Sequence, residues 1–181
     1  ERHAVIKARW FMEKSRHTAL LKELIEALQA EPKPEFNGKK IILTGIMAEP
    51  YEILDIFEEN GFAIVADDLA QESRQFRQDV PKDADPLMAL AKAWNNFDGC
   101  SFATDEFKPK GKIIIDAVKK YDADAVIVCM MKFCDPEEFD YPILLQEFEP
   151  EGIRSLFIEI DQESTAFEQV KTRVQTFAEI L

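Results

Sequence analysis

Four short runs of apolar, β-branched residues alternate along this chain with longer stretches whose apolar residues recur every three or four positions. The runs are Lys39 to Gly45 (KKIILTG), Phe62 to Ala66 (FAIVA), Ala125 to Met131 (AVIVCMM) and Ile153 to Ile160. Each reads as a strand, and the third is apolar throughout, as expected of a strand buried on both faces. The intervening stretches read as amphipathic helices. Pro50 to Asn60 turns Ile53, Leu54, Ile56 and Phe57 to the sheet and stops at Asn60-Gly61, a glycine helix end. Asp85 to Phe97 places Leu87, Leu90, Ala91 and Trp94 inward, and Pro109 to Tyr121 places Ile113, Ile114, Ala117 and Val118 inward. Pro136 to Glu149 is helical, and Ser164 to Leu181 closes the chain with Phe167, Val170, Val174 and Phe177 inward. Strands separated by helices imply right-handed βαβ units and a parallel sheet. The expected architecture is α/β: a four-stranded parallel, flavodoxin-like sheet of order 2-1-3-4, helices on both faces, preceded by an N-terminal helical segment.

That segment, residues 1–38, is read as one or two helices and a linker. Trp10, His17, Leu20, Leu21, Leu24, Ile25 and Leu28 form a stripe at helical spacing. Glu31 to Gly38 (EPKPEFNG) is rich in helix breakers and places the domain boundary before 39–181. Because the chain starts at Glu1 within helical sequence, it is expected to be a piece of a longer protein whose N-terminal half is missing. The two histidines, His3 and His17, are expected on a solvated helix face.

Composition narrows the partners. Of 181 residues, 46% are hydrophobic and 31% charged, and the net charge is -13. This is a globular composition. The charge speaks against nucleic acid and against an anionic membrane surface, both of which select basic faces. No apolar run reaches transmembrane length and no signal peptide is visible, so a cytoplasmic location is expected. Three cysteines do not make a disulfide framework, and no C-x-x-C or zinc spacing occurs. After the first strand the sequence Thr44-Gly-Ile-Met-Ala-Glu-Pro50 lacks the glycines of a dinucleotide loop, and no P-loop is present.

The chemistry concentrates beyond the strand ends, where open α/β sheets bind ligands. Cys134 follows the third strand, and Asp135-Pro136-Glu137-Glu138 opens the next helix with an expected Asp135 N-cap and Pro136 at the first helical position. Cys134 is either an ordinary loop thiol or an iron ligand, since soft thiolates hold iron–sulfur clusters. Cys129 lies in the apolar strand and is expected in the core. It stands five residues before Cys134, roughly 16 Å along an extended chain. Cys100 has no motif and is read as a core or surface thiol. The block Asp67 to Arg77 (DDLAQESRQFR) is expected as a long loop after the second strand. There Gln71, Ser73 and Arg74 could donate to cluster sulfurs; alternatively, Arg74 and Arg77 pair with Asp67 and Asp68 and stiffen the loop. Met47 and the pair Asp161-Gln162 are expected at the same edge. No catalytic residue is assigned.

Three blocks carry a resemblance to a known family. Asp67 to Arg77, Cys134 to Pro142 (CDPEEFDYP), and the tail Phe157 to Gln162 followed by Arg173 to Glu179 resemble, in that order, the 2-hydroxyacyl-CoA dehydratase (2-hydroxyglutaryl-CoA dehydratase D-component) family. The likeness runs from about Lys39 to the end and is to the C-terminal part of the β-subunit type. It implies a lyase that removes water from (R)-2-hydroxyacyl-CoA to give 2-enoyl-CoA in anaerobic amino-acid fermentation. It implies a [4Fe-4S] cluster with Cys134 as metal ligand, Gln71 and Arg74 beside it, and further cysteines missing from this chain. It also implies a heterodimer with an α-type subunit and an ATP-dependent activator protein that delivers one electron. That electron makes a ketyl radical of the substrate thioester, which lets the 2-hydroxyl leave. The alternatives are a benzoyl-CoA-reductase-like or double-cubane-cluster ATP-dependent reductase subunit and, in another class, a metal-free flavodoxin-like interaction domain. The fragment alone is expected to be inactive.

Overall fold

A computed structural model describes every residue of the chain except Pro34, Ala84, Thr104, Asp105 and Gln162. The chain divides into two units, Glu1–Asn37 and Gly38–Leu181. The first contains helices α1 (Arg2–Ala8) and α2 (Lys14–Ala30). Glu13 caps α2 by accepting from the Ser15 and Arg16 backbone N–H groups at 3.0 Å. The His17 ring donates to the Val5 carbonyl at 3.1 Å. His17 is half-buried and His3 is buried, so neither occupies the expected solvated face. Leu20, Leu24, Ile25 and Leu28 remain exposed.

In the second unit the apolar runs form β1 (Lys39–Gly45), β2 (Phe62–Leu69), β3 (Ala125–Met131) and β4 (Arg154–Ile160), all parallel, in the order β2-β1-β3-β4. Strand β3 shows the two-residue period of a doubly covered strand. Ala125, Ile127 and Cys129 enter one core with Ile41, Leu43 and Ile158; Val126, Val128 and Met130 enter the other with Ile42 and Phe148. Helices α3 (Glu52–Glu59) and α7 (Glu168–Ile180) cover the first face, through Ile53, Phe57, Val174 and Phe177. Helices α5 (Lys110–Tyr121) and α6 (Asp135–Phe148) cover the second, through Ile114, Leu144 and Phe148. Gly45 ends β1 at φ +129°, and a Cβ there would stand 2.1 Å from the Cys129 carbonyl oxygen. Only glycine lets β1 run this close to β3.

Two elements depart from the sequence reading. Strand β2 continues through Asp67, Asp68 and Leu69, pairing with Leu43, Thr44 and Gly45, where a loop was expected. The acids are accommodated because Thr44 Oγ1 donates to the Asp68 carboxylate at 3.1 Å and arginines surround it. Helix α4 (Pro86–Asn95) is present, with Asp85 capping the Leu87 N–H at 2.9 Å, but the expected inward face is outward. Leu87, Leu90, Ala91 and Trp94 are exposed, Trp94 by 76%, and Ala89 is the buried residue. The reason is topological: α5 is the helix that lies over β1 and β2 in the crossover to β3, which leaves α4 no sheet to cover.

Candidate functional site

The chain leaves β3 through Phe133, whose φ of +63° turns it sharply off the sheet. A left-handed backbone costs a bulky residue about 1–2 kcal/mol. Cys134 then occupies the N-cap of α6, one position earlier than the expected Asp135, and Pro136 sits second in the helix. Such a one-residue shift is within the ordinary ambiguity of a helix end.

Under this turn lies a buried ionic cluster. Arg74, only 1% exposed, donates from Nη2 to the Asp68 carboxylate at 2.9 Å, the Asp68 carbonyl at 2.7 Å and the Gly45 carbonyl at 3.1 Å. Its Nη1 donates to Glu137 at 2.9 Å. Glu137 is 2% exposed and takes its second oxygen to the ammonium of Lys110, itself 3% exposed. Lys110 also donates to Ser101 Oγ at 2.9 Å. Arg77 donates to Asp68 at 2.5 Å and to the Asp98 carbonyl at 2.6 Å. Beside it Lys108 bonds Asp140 at 2.9 Å. Three elements, the end of β2, the start of α5 and the first turn of α6, are thus tied by paired charges. Buried charges require such partners.

The electrostatics follow from this geometry. Burial works against the charged Arg74, but Asp68 and Glu137 outweigh it and hold the guanidinium above its usual range. Burial pushes the Glu137 carboxyl up, while Lys110 and Arg74 pull it down further, so it stays below the usual carboxylate range. The Cys134 thiol is raised, chiefly by burial and also by the Glu137 and Glu138 carboxylates; the Glu137 N–H and the Lys110 ammonium act in the opposite direction. The sulfur makes no complete cap hydrogen bond. Cys129, wholly buried, is pushed far above the thiol range by burial.

The sequence-selected residues are distributed as follows. Cys134 is a free thiol at the carboxyl edge but only 8% exposed, less open than a loop cysteine would be. Arg74 lies at the same edge and reaches Glu137, three residues past Cys134; its Nη1 also donates to Cys100 Sγ, at 3.7 Å. The pairing of Arg74 and Arg77 with Asp68 is present. Asp67 instead accepts the Leu69 and Ser73 backbone N–H groups, at 3.1 and 3.0 Å. Gln71 turns towards Met47, its amide 3.9 Å from the thioether sulfur. Asp161 accepts from Lys132 at 3.3 Å beside a cleft of about 110 Å³ between α3 and α7; Gln162 lies outside the described residues. Cys134 does not line that cleft.

Among the described residues no group of three histidines, cysteines or acids could hold a metal ion. Cluster irons are held by thiolates, four in the common case. Of such a donor set, the carboxyl edge of the sheet offers the Cys134 thiol. Lys110, Glu137 and Asp140 were not selected from the sequence. A signal existed: the buried positions of α6 are Glu137, Asp140, Leu144 and Phe148, so both acids share the apolar stripe's spacing. Lys110 likewise stands one turn before the buried Ile114 in α5.

A family model described as 2-hydroxyglutaryl-CoA dehydratase, D-component, matches residues 1–181. The chain is 56% identical, over 99% of its length, to the lactoyl-CoA dehydratase subunit beta of Anaerotignum propionicum, of which it covers 48%. It is 42% identical over 100% of its length to the (R)-phenyllactyl-CoA dehydratase beta subunit of Clostridium sporogenes, again covering 48%. Against the (R)-2-hydroxyglutaryl-CoA dehydratase subunit beta of Acidaminococcus fermentans it is 38% identical over 99% of its length, covering 48%. The chain spans about half the length of the curated relatives it matches. With a match along its whole length and a parallel sheet that carries Cys134 at its carboxyl edge, the chain belongs to the 2-hydroxyglutaryl-CoA dehydratase D-component family.

Proposed function

We propose that this chain is the C-terminal α/β part of the β-type subunit of a cytoplasmic iron–sulfur (R)-2-hydroxyacyl-CoA dehydratase. The supporting observation is the position of Cys134, a free thiol at the sheet's carboxyl edge, on a chain that the family model matches throughout. Three relatives named as dehydratase beta subunits point the same way. In this reading Cys134 lends one thiolate to a [4Fe-4S] cluster completed by cysteines outside the chain. The cluster supplies one-electron transfer at low potential when bound. Arg74, Asp68, Glu137 and Lys110 hold the turn that presents Cys134, and their pairing keeps that turn in one geometry. Gln71 stands farther along the same edge. An α-type subunit and an ATP-dependent activator complete the enzyme. The substrate thioester takes up one electron as a ketyl, the 2-hydroxyl leaves as hydroxide, a proton is lost from the neighbouring C3, and the electron returns as the 2-enoyl thioester forms. This chain by itself holds no complete cluster and has no dehydratase activity.

The test is iron and acid-labile sulfide in the full-length subunit with its partner, purified without oxygen. Cys134→Ala loses the iron of this subunit, whereas Cys129→Ala and Cys100→Ala retain it. Full iron occupancy in Cys134→Ala overturns the reading, and an iron-free wild-type subunit makes the chain a metal-free interaction domain instead.

A further inference from the structure

The ionic cluster contains more than the ties that hold the edge together. We propose that Lys110 is a positioning residue that sets the electrostatic potential at the Cys134 sulfur, making a cluster held there easier to reduce, with Glu137 as the counterweight; this rests on the reading of Cys134 as a cluster ligand. Four observations carry it. Lys110 lies at the first turn of α5 and is buried, so solvent does not screen its charge. Its ammonium is anchored between Ser101 Oγ and the Glu137 carboxylate, which prevents it from swinging out to water. Glu137 is the third residue of α6, directly over the Cys134 N-cap, and it carries a negative charge to the same place. The contact with Glu137 brings the Lys110 ammonium to the first turn of the helix that Cys134 caps, so both charges stand at that turn.

A fold needs only that these charges be paired. Arg74 alone already pairs Glu137, through Nη1 at 2.9 Å. Lys110 is a second cation on the same carboxylate, and its approach brings a fixed positive charge to the helix turn that Cys134 caps. Cluster potentials respond to nearby charge and to hydrogen bonds at the sulfurs. A buried cation favours the reduced, more negative cluster, and a buried carboxylate disfavours it.

The experiment is a redox titration of the anaerobically purified holoenzyme, followed by electron paramagnetic resonance, with iron content measured alongside. Lys110→Met shifts the midpoint of this subunit's cluster to more negative potential by about tenfold in the reduced-to-oxidised ratio, about 59 mV for one electron. Lys110→Arg keeps the wild-type midpoint. Glu137→Gln shifts it to more positive potential. The opposite signs are the decisive feature, because damage to packing would not reverse with the sign of the charge removed. An unchanged midpoint in Lys110→Met, or shifts of the same sign in Lys110→Met and Glu137→Gln, overturns the proposal while leaving Cys134 as a ligand. Loss of iron from Lys110→Met with iron kept in Cys129→Ala makes Lys110 a purely structural residue and also overturns it. An iron-free wild-type subunit overturns the ligand reading itself.

Discussion

The interior of this domain is built in two ways. Across the sheet faces it is apolar, with Ile41, Ile127 and Ile158 on one side and Ile42, Val126 and Val128 on the other. At the carboxyl edge it is ionic, with Arg74, Asp68, Glu137 and Lys110 as deeply buried as the isoleucines. The apolar region tolerates gradual change, because each lost methylene costs about the same and the loss is spread over many contacts. The ionic region does not, because removing one partner leaves another charge buried without compensation. The largest expected effect follows from that contrast. Arg74→Met removes the group bonded to Asp68, Glu137 and the Gly45 carbonyl, and costs about 3–5 kcal/mol of stability. Ile127→Val, in the apolar core, costs about 0.5–1.5 kcal/mol. Urea unfolding of both variants measures the ratio; equal losses would mean that the edge is no more brittle than the core.

The same contrast explains what the sequence made legible. The apolar periods located four strands, because burial in a parallel sheet demands continuous apolar runs, and their alternation with helices pointed to the flavodoxin-like order β2-β1-β3-β4. They also placed Cys129 in the core. They missed the last residues of β2, because Asp67 and Asp68 read as loop until Thr44, Arg74 and Arg77 are seen around them. They missed Lys110 and Glu137 because an inward face is recognised by apolar residues, and here charged ones share its spacing. Helix α4 shows the converse limit. Leu87, Leu90 and Trp94 have helical periodicity, but periodicity names a face without naming what covers it.

A smaller effect separates the two regions by pH. Glu137 has its folded ionisation lowered by Lys110 and Arg74 against the push of burial. A carboxylate depressed in the folded state adds stability above its unfolded value, about 4.3 for glutamate, and that stability is lost as pH falls through the folded value. Asp140, lowered by Ser101 and Lys108 against burial, acts in the same sense. The urea midpoint therefore falls as pH drops below the ordinary carboxylate range. In Glu137→Gln the protein is less stable at neutral pH and its acid decline is shallower, while Ile127→Val keeps the wild-type slope. Parallel slopes in wild type and Glu137→Gln would remove the ionic cluster as the source of acid sensitivity.

The smallest effect is expected where the same chemistry is exposed. Lys171 of α7 and Glu59 at the end of α3 form an ion pair at 3.2 Å, close to the distances within the buried cluster. Their side chains are 52% and 60% exposed. Water already solvates both charges, so the pair replaces strong hydration with a screened attraction and fixes two long side chains in the process. Such pairs contribute between nothing and about 1 kcal/mol. Lys171→Met leaves Glu59 free to return to water, and no buried charge is left without a partner. Its unfolding free energy in urea should differ from wild type by less than about 0.5 kcal/mol, and the difference should vanish in high salt, where exposed charges are screened. A loss approaching that of Arg74→Met would show that distance between charges, and not their burial, sets the cost of breaking an ion pair in this fold.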